Sequence, residues 1–182
     1  MTGLILGFAV ALATFPGIIV HELAHQFVCW LLKVPVFEVC YLRFGKTAGF
    51  VRHERPKSPW ASLLIGIGPV FVNTLLGLLI AFPAVLGMFI FDSFFNTLVD
   101  LFLFWLGLSI AMHAFPSLGD ARVIWNSVMN KENAIWVKLI GAPVVIFILL
   151  GAAGSLFWLD AIYGLFVVMG LPYFFVHSLA GV

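Results

Sequence analysis

Long uncharged runs set the pattern of the chain. Residues 1–20, 61–91, 101–119, 139–159 and 161–182 contain no Asp, Glu, Lys or Arg. A helix rises about 1.5 Å per residue and the hydrocarbon core of a bilayer is about 30 Å thick, so each run spans it or nearly does. The pattern therefore predicts an all-α polytopic membrane protein with about five transmembrane helices. The first run has no basic segment ahead of it and continues through His21 to Leu32, which predicts one long retained anchor rather than a cleaved signal. Between the first two runs the pattern changes. Val36–Phe44 and Ala48–His53 are rich in β-branched and aromatic residues and are separated by Gly45, Lys46 and Thr47, which predicts a β-hairpin within residues 34–53. Glu38, Arg43, Lys46 and Arg52 make it too polar to cross, so it is expected at the cytoplasmic face or in the mouth of the bundle.

Composition narrows the class. The 182 residues are 63% hydrophobic and 9% charged, far from the roughly 25% charge of soluble domains. One membrane-embedded domain over 1–182 fits, with no internal repeat. Nine basic against eight acidic residues leave a net charge of +1, which offers no basic surface for nucleic acid. All nine basic residues fall in two segments, Lys33 to Lys57 and Arg122 to Lys138, whereas the other connections hold Asp92, Asp100 and Asp160. By the positive-inside rule both segments are cytoplasmic; five crossings then put the N-terminus outside and the C-terminus inside, in the cell membrane. Cys29 and Cys40 form no spaced framework and read as reduced thiols in apolar surroundings.

The first span carries His21-Glu22-Leu23-Ala24-His25. On a helix, positions i and i+4 share a face, so both imidazoles can bind one Zn²⁺ while Glu22 serves as a general base. Three ionisable groups within one turn of an apolar helix need a common partner. The position of Lys33 places this site roughly 12 to 18 Å below the cytoplasmic interface. Catalytic zinc takes three protein ligands, so a third must come from elsewhere, with Asp120, His113, His177 and Cys29 as candidates. Asp120 is favoured because Pro116 and Gly119 break the end of the third span and let a carboxylate turn inward. The competing view makes Asp120 the N-cap of a helix starting near Ala121. His113 suits a supporting hydrogen-bond donor. In the second span, Gly66-Ile-Gly-Pro-Val-Phe-Val-Asn73 lies at a matching depth, and Asn73 would bind a substrate carbonyl or oxyanion, or bond between helices.

These pieces together resemble the site-2 protease family of intramembrane zinc metalloproteases. His21-Glu-Leu-Ala-His25, Gly68-Pro-Val-Phe-Val-Asn73 and Phe115-Pro-Ser-Leu-Gly-Asp120 fall in the order of that family's three-helix core, here about residues 3–130, with two further helices over about 136–182. The resemblance implies His21, His25 and Asp120 as zinc ligands, Glu22 as base, Asn73 as a polar active-site residue and a membrane-associated β region after the first core helix. The chain departs from the family pattern in having His113 where an Asn usually precedes the proline, and Gly119-Asp120-Ala121 where an Asp-Gly pair usually follows it.

The expected activity is hydrolysis of peptide bonds within transmembrane segments of other proteins, with a membrane protein or peptide as substrate and the lipid bilayer as surroundings. Two rivals remain at this stage: a non-catalytic metal- or client-binding protein on the same scaffold, and a bis-histidine haem carrier.

Overall fold

The computed structural model describes residues 2–43, 48–91 and 97–180, and among these it is mainly helical with one two-stranded sheet. The helices are α1 (Thr2–Ala13), α2 (Phe15–Leu31), α3 (Pro59–Phe91), α4 (Leu98–Met112), α5 (Leu118–Val128), α6 (Ile135–Gly154), α7 (Leu159–Leu165) and α8 (Leu171–Ala180). A π-helical turn, Phe166–Gly170, joins the last two. The hairpin consists of β1 (Val36–Cys40) and β2 (Phe50–His53), paired antiparallel from Val36↔His53 to Cys40↔Phe50 with a bulge between Val36 and Glu38. Its expected separators Gly45, Lys46 and Thr47 lie outside the described residues, and the bond from Arg43 N to Ala48 O (2.7 Å) closes the strands just before them.

Three stretches are long and apolar enough to cross a membrane: Pro59–Phe89, Ile135–Gly154 and Leu159–Ser178. The helix α4 is apolar but has 15 residues. Large apolar side chains such as Leu79, Leu98, Leu139 and Leu150 cover the outside, as a lipid-facing surface requires. The first expected span is not one helix. It breaks at Thr14, and Pro16 then sits in the first turn of α2, where a missing N–H costs nothing.

Residue pairs along α3 fix the sense of every other pass. Gly17 meets Asn73 and His25 meets Ile65, so α2 runs antiparallel to α3. Ala111 packs on Gly77 and Ala81 on Gly107, where the two backbones touch, so α4 is antiparallel as well. Ile124 against Gly66 and Ser127 Oγ bonded to Ser62 Oγ (2.9 Å) show α5 continuing in the direction of α4. Trp136 stacks on Trp60 (centroids 5.8 Å apart) and Gly141 lies beside Leu63, so α6 runs parallel to α3. Tyr163 Oη pairs with Thr74 Oγ1 (2.7 Å) and Tyr173 packs edge-on to Phe89 (5.4 Å), so α7 and α8 also run parallel to α3, along its second half.

The helices α6 and α7–α8 therefore lie end to end in one sense rather than folding back as the antiparallel pair that the run-counting predicts. The physical reason is the joint between them. Trp158 adopts a left-handed conformation (φ 61°), and the short 3-10 turn Ser155–Phe157 shifts the chain sideways without reversing it. Two apolar cores result. Leu63, Ala121, Ile124, Val128, Val145 and Ile148 fill the half near Trp60, and Ala81, Val85, Ala111, Val167 and Val168 fill the other.

Candidate metal centre

The site lies where broken passes meet the unbroken α3. The break at Thr14 frees backbone groups that α4 satisfies: Trp105 Nε1 donates to Ala13 O (2.9 Å), Ser109 Oγ donates to Thr14 O (2.9 Å), and Gly17 N donates to Ser109 Oγ (3.0 Å). Only glycine fits at position 17, since a Cβ would meet Ser109 O and lie 2.6 Å from His113 Nδ1. This close crossing brings His21, one turn later, under the end of α4.

His21 Nδ1 donates to His113 O (2.7 Å) and His25 Nδ1 donates to Ile65 O (2.9 Å). A carbonyl only accepts, so each ring carries a proton on Nδ1, and in its neutral form presents a lone pair at Nε2. Those two Nε2 atoms lie 3.1 Å apart. Two lone pairs held at that distance repel unless a cation lies between them, and two bonds of about 2.0–2.1 Å at a near-tetrahedral angle span a similar distance. The backbone bonds to Nδ1 are those that fix a metal-binding histidine's tautomer and orientation. A carboxylate oxygen of Asp120 completes the group, with the three ligand atoms all within 4.8 Å of one another. The donor set thus fits a metal ion. Imidazoles that converge on one point leave no room for a porphyrin between them, which argues against haem.

Asp120 is not the N-cap of its helix. Ser117 caps α5, and Asp120 is the acid three residues on that closes a capping box: Ser117 N and Ser117 Oγ donate to Asp120 Oδ2 (3.1 and 2.6 Å), and Asp120 N donates to Ser117 Oγ (3.2 Å). All of these carboxylate contacts fall on Oδ2. The helix terminus therefore holds the carboxylate rigidly.

Glu22 is 8% exposed and sits beside the two histidines on a cavity of about 670 Å³. The hairpin backbone just before β2 passes close to it: a Cβ at Gly49 would lie 2.7 Å from Glu22 Cγ and 2.8 Å from Glu22 Oε1. Tyr41 Oη donates to Gln26 Oε1 and ties the hairpin to the histidine helix. Ala48, Gly49, Phe50, Val51 and His53 line the cavity and no residue of β1 does, so the free edge of β2 faces the site.

Asn73 is fully buried and absent from the cavity lining. Its Nδ2 lies 3.0, 3.2 and 3.4 Å from the carbonyls of His113, Ile110 and Gly17. This is the interhelical alternative rather than substrate contact, and it bears on the site through His113 O, the carbonyl that also orients His21. Asn73 Oδ1 has no partner among the described residues. His113 serves His21 by its backbone; its ring Nδ1 donates to Ser109 O (2.9 Å). Cys29 is buried outside the cavity, and His177, on α8, bonds Tyr173 O (3.1 Å), so neither joins the ligand group.

Several contributors were not picked out from the sequence. The Ile65 and His113 carbonyls carry no signal of residue type. The spacing Ser117-x-x-Asp120 is a readable capping signature. Gly49 stands in the hairpin arm, where an isolated glycine signals close approach. Asp160 lines the cavity from the first turn of α7, although its place in the sequence suggests an external loop. Searches against protein-family models, curated proteins and solved structures return no match for this chain.

Proposed function

We propose that the chain is an intramembrane zinc metalloprotease that hydrolyses peptide bonds within transmembrane segments of other membrane proteins. The observation that carries this reading is the pair of bare Nε2 atoms at 3.1 Å with Glu22 and Asp120 on the same cavity. His21, His25 and Asp120 would hold Zn²⁺, three protein ligands being the catalytic pattern, and the bound ion supplies Lewis acidity to the site. Glu22 takes a proton from the attacking water and returns it to the leaving amine. Its burial against Gly49 holds the carboxyl in one position beside the histidines.

A transmembrane helix hides its carbonyls in its own hydrogen bonds, so a substrate has to unwind before cleavage. The free edge of β2 supports this step, since unpaired strand groups accept an extended peptide as an added strand. The order of residues along α3 supports four full passes instead of five: α1–α2, α3, α4–α5 and α6–α8. With both basic segments on the cytoplasmic side, both termini then lie outside.

The reading is tested by zinc analysis of purified protein together with cleavage of membrane peptides in proteoliposomes. About one zinc per chain and cleavage lost on chelation are expected. Protein that holds zinc and cleaves nothing would favour a metal-binding scaffold, and protein without zinc would end the reading.

A further inference from the structure

Asp160 stands in the first turn of α7 and lines the same cavity as His21, Glu22 and Asp120. Tyr163, one turn later, pairs with Thr74, which lies ~22 Å beyond Pro59 along α3. Asp160 is therefore near mid-height of the bundle, roughly 9 Å along its axis from the level of Ile65, where His25 is bonded, and nearer than that to the levels of His21 and Asp120, on the side away from the hairpin. An ionisable group at such depth is costly unless it finds a partner, and so points to function.

The ionisable group that faces Asp160 is the ring of His113, whose Nδ1 proton is already committed to Ser109 O. Asp160 Oδ1 accepts from Ala161 N (2.9 Å), which is an ordinary helix-end contact. No Lys or Arg lines the cavity, and Arg52 pairs with Glu38 outside it, on the hairpin. Glu22 and Asp120 face the cavity from the metal side and add negative charge. His113 shares the cavity without forming an ion pair to Asp160. The helix-end contact accounts for one oxygen but not for a carboxylate that opens into a cavity without a Lys or Arg side chain. A peptide seated over the metal ligands would bring its side chains past this carboxylate.

We propose that Asp160 determines specificity in this cavity by taking a lysine or arginine side chain of the bound peptide. An extended chain covers about 3.3 Å per residue, so the basic residue sits within about three positions of the scissile bond. The proposal rests on the protease reading for the word scissile, but the binding it describes is measurable without turnover.

The test uses the full chain, zinc-loaded, in the Glu22→Gln background that binds without cleaving. Its probes are one fluorescent transmembrane peptide with Lys, Arg, Leu or Glu scanned over five positions on each side of its centre, and the same peptide with its N-terminus acetylated. Lys and Arg at one position should bind at least about 10-fold tighter than Leu there, an energy ratio suited to a desolvated charge pair. Asp160→Asn should collapse that ratio, Asp160→Glu should keep it, and Asp160→Lys should transfer the preference to Glu. Because each ratio is taken within one variant, a general loss of affinity does not imitate the effect. A Lys-to-Leu ratio near one in the parent, or one that survives in Asp160→Asn, overturns the proposal, and a preference that disappears on acetylation assigns the carboxylate to a terminal amine instead. Parallel cleavage assays with Glu22 intact separate the two readings: charge-selective binding without cleavage leaves Asp160 assigned and the protease reading lost.

Discussion

His21 Nε2 and His25 Nε2 face each other at 3.1 Å with both of their protons committed to backbone carbonyls on the far side of each ring. Such a pair is arranged for a cation. Glu22, between them in sequence, points its carboxyl into the same cavity without joining the ligand group. Glu22→Gln is therefore expected to retain about one zinc per chain and to lose at least about 10²-fold in cleavage rate, the usual scale of general acid–base catalysis. Zinc analysis beside a cleavage assay checks this; zinc lost with activity would make Glu22 a ligand.

The third ligand can be separated from its neighbours because His113 acts through its carbonyl. His113→Ala keeps that carbonyl and should retain most of its zinc. Asp120→Ala removes a ligand oxygen and also the partner of Ser117 in the capping box, which alone costs about 1 kcal/mol. Asp120→Asn keeps an oxygen for the cap, so comparing the two variants divides helix stability from metal affinity. Both Asp120 variants should emerge metal-poor, and a zinc-replete Asp120→Ala would remove this residue from the centre.

Gly49 offers a test of the hairpin that leaves the ligands alone. A methyl group there would press on Glu22 Cγ and Oε1 and on Cys40 O, 3.0 Å away. Displacement of a catalytic group by about 1 Å costs up to 10²-fold. Gly49→Ala should accordingly lower the cleavage rate at least about 10-fold while zinc content stays unchanged. An unimpaired variant would show that the hairpin backbone at Gly49 does not hold Glu22 in place.

Topology is checked by labelling. Single cysteines near Lys57 and Lys131, in a background without Cys29 and Cys40, should react only from the cytoplasmic side. A cysteine placed after Ala180 should react only from outside, as four passes require. Labelling of that residue from the cytoplasm would restore the five-pass arrangement.

How far the sequence revealed this arrangement depended on the kind of signal. The i, i+4 histidines, the hairpin strands and the apolar helices were readable because each rests on local spacing and residue type. The direction of the last helices was not, because an uncharged run has the same composition whether the next one folds back or carries on; here the turn at the left-handed Trp158 carries α7 on in the sense of α6. Asn73 was readable as a polar residue at the right depth, yet only the placement of Gly17, Ile110 and His113 around it shows that its amide binds helices together. Asp160 looked like an ordinary loop residue because the direction of those last helices was hidden.

The packing beyond the cavity has a further consequence. A hydrolytic site needs water, and water halfway across a bilayer would open a route for protons and salts. Above the cavity, Gly77 and Gly107 bring α3 and α4 into backbone contact, and Ala81, Val85, Ala111, Val167 and Val168 close around them with side chains that are all but inaccessible. That plug is closely packed, so on the proposed function water admitted to the cavity would meet a dead end there and the membrane around it would stay electrically insulated.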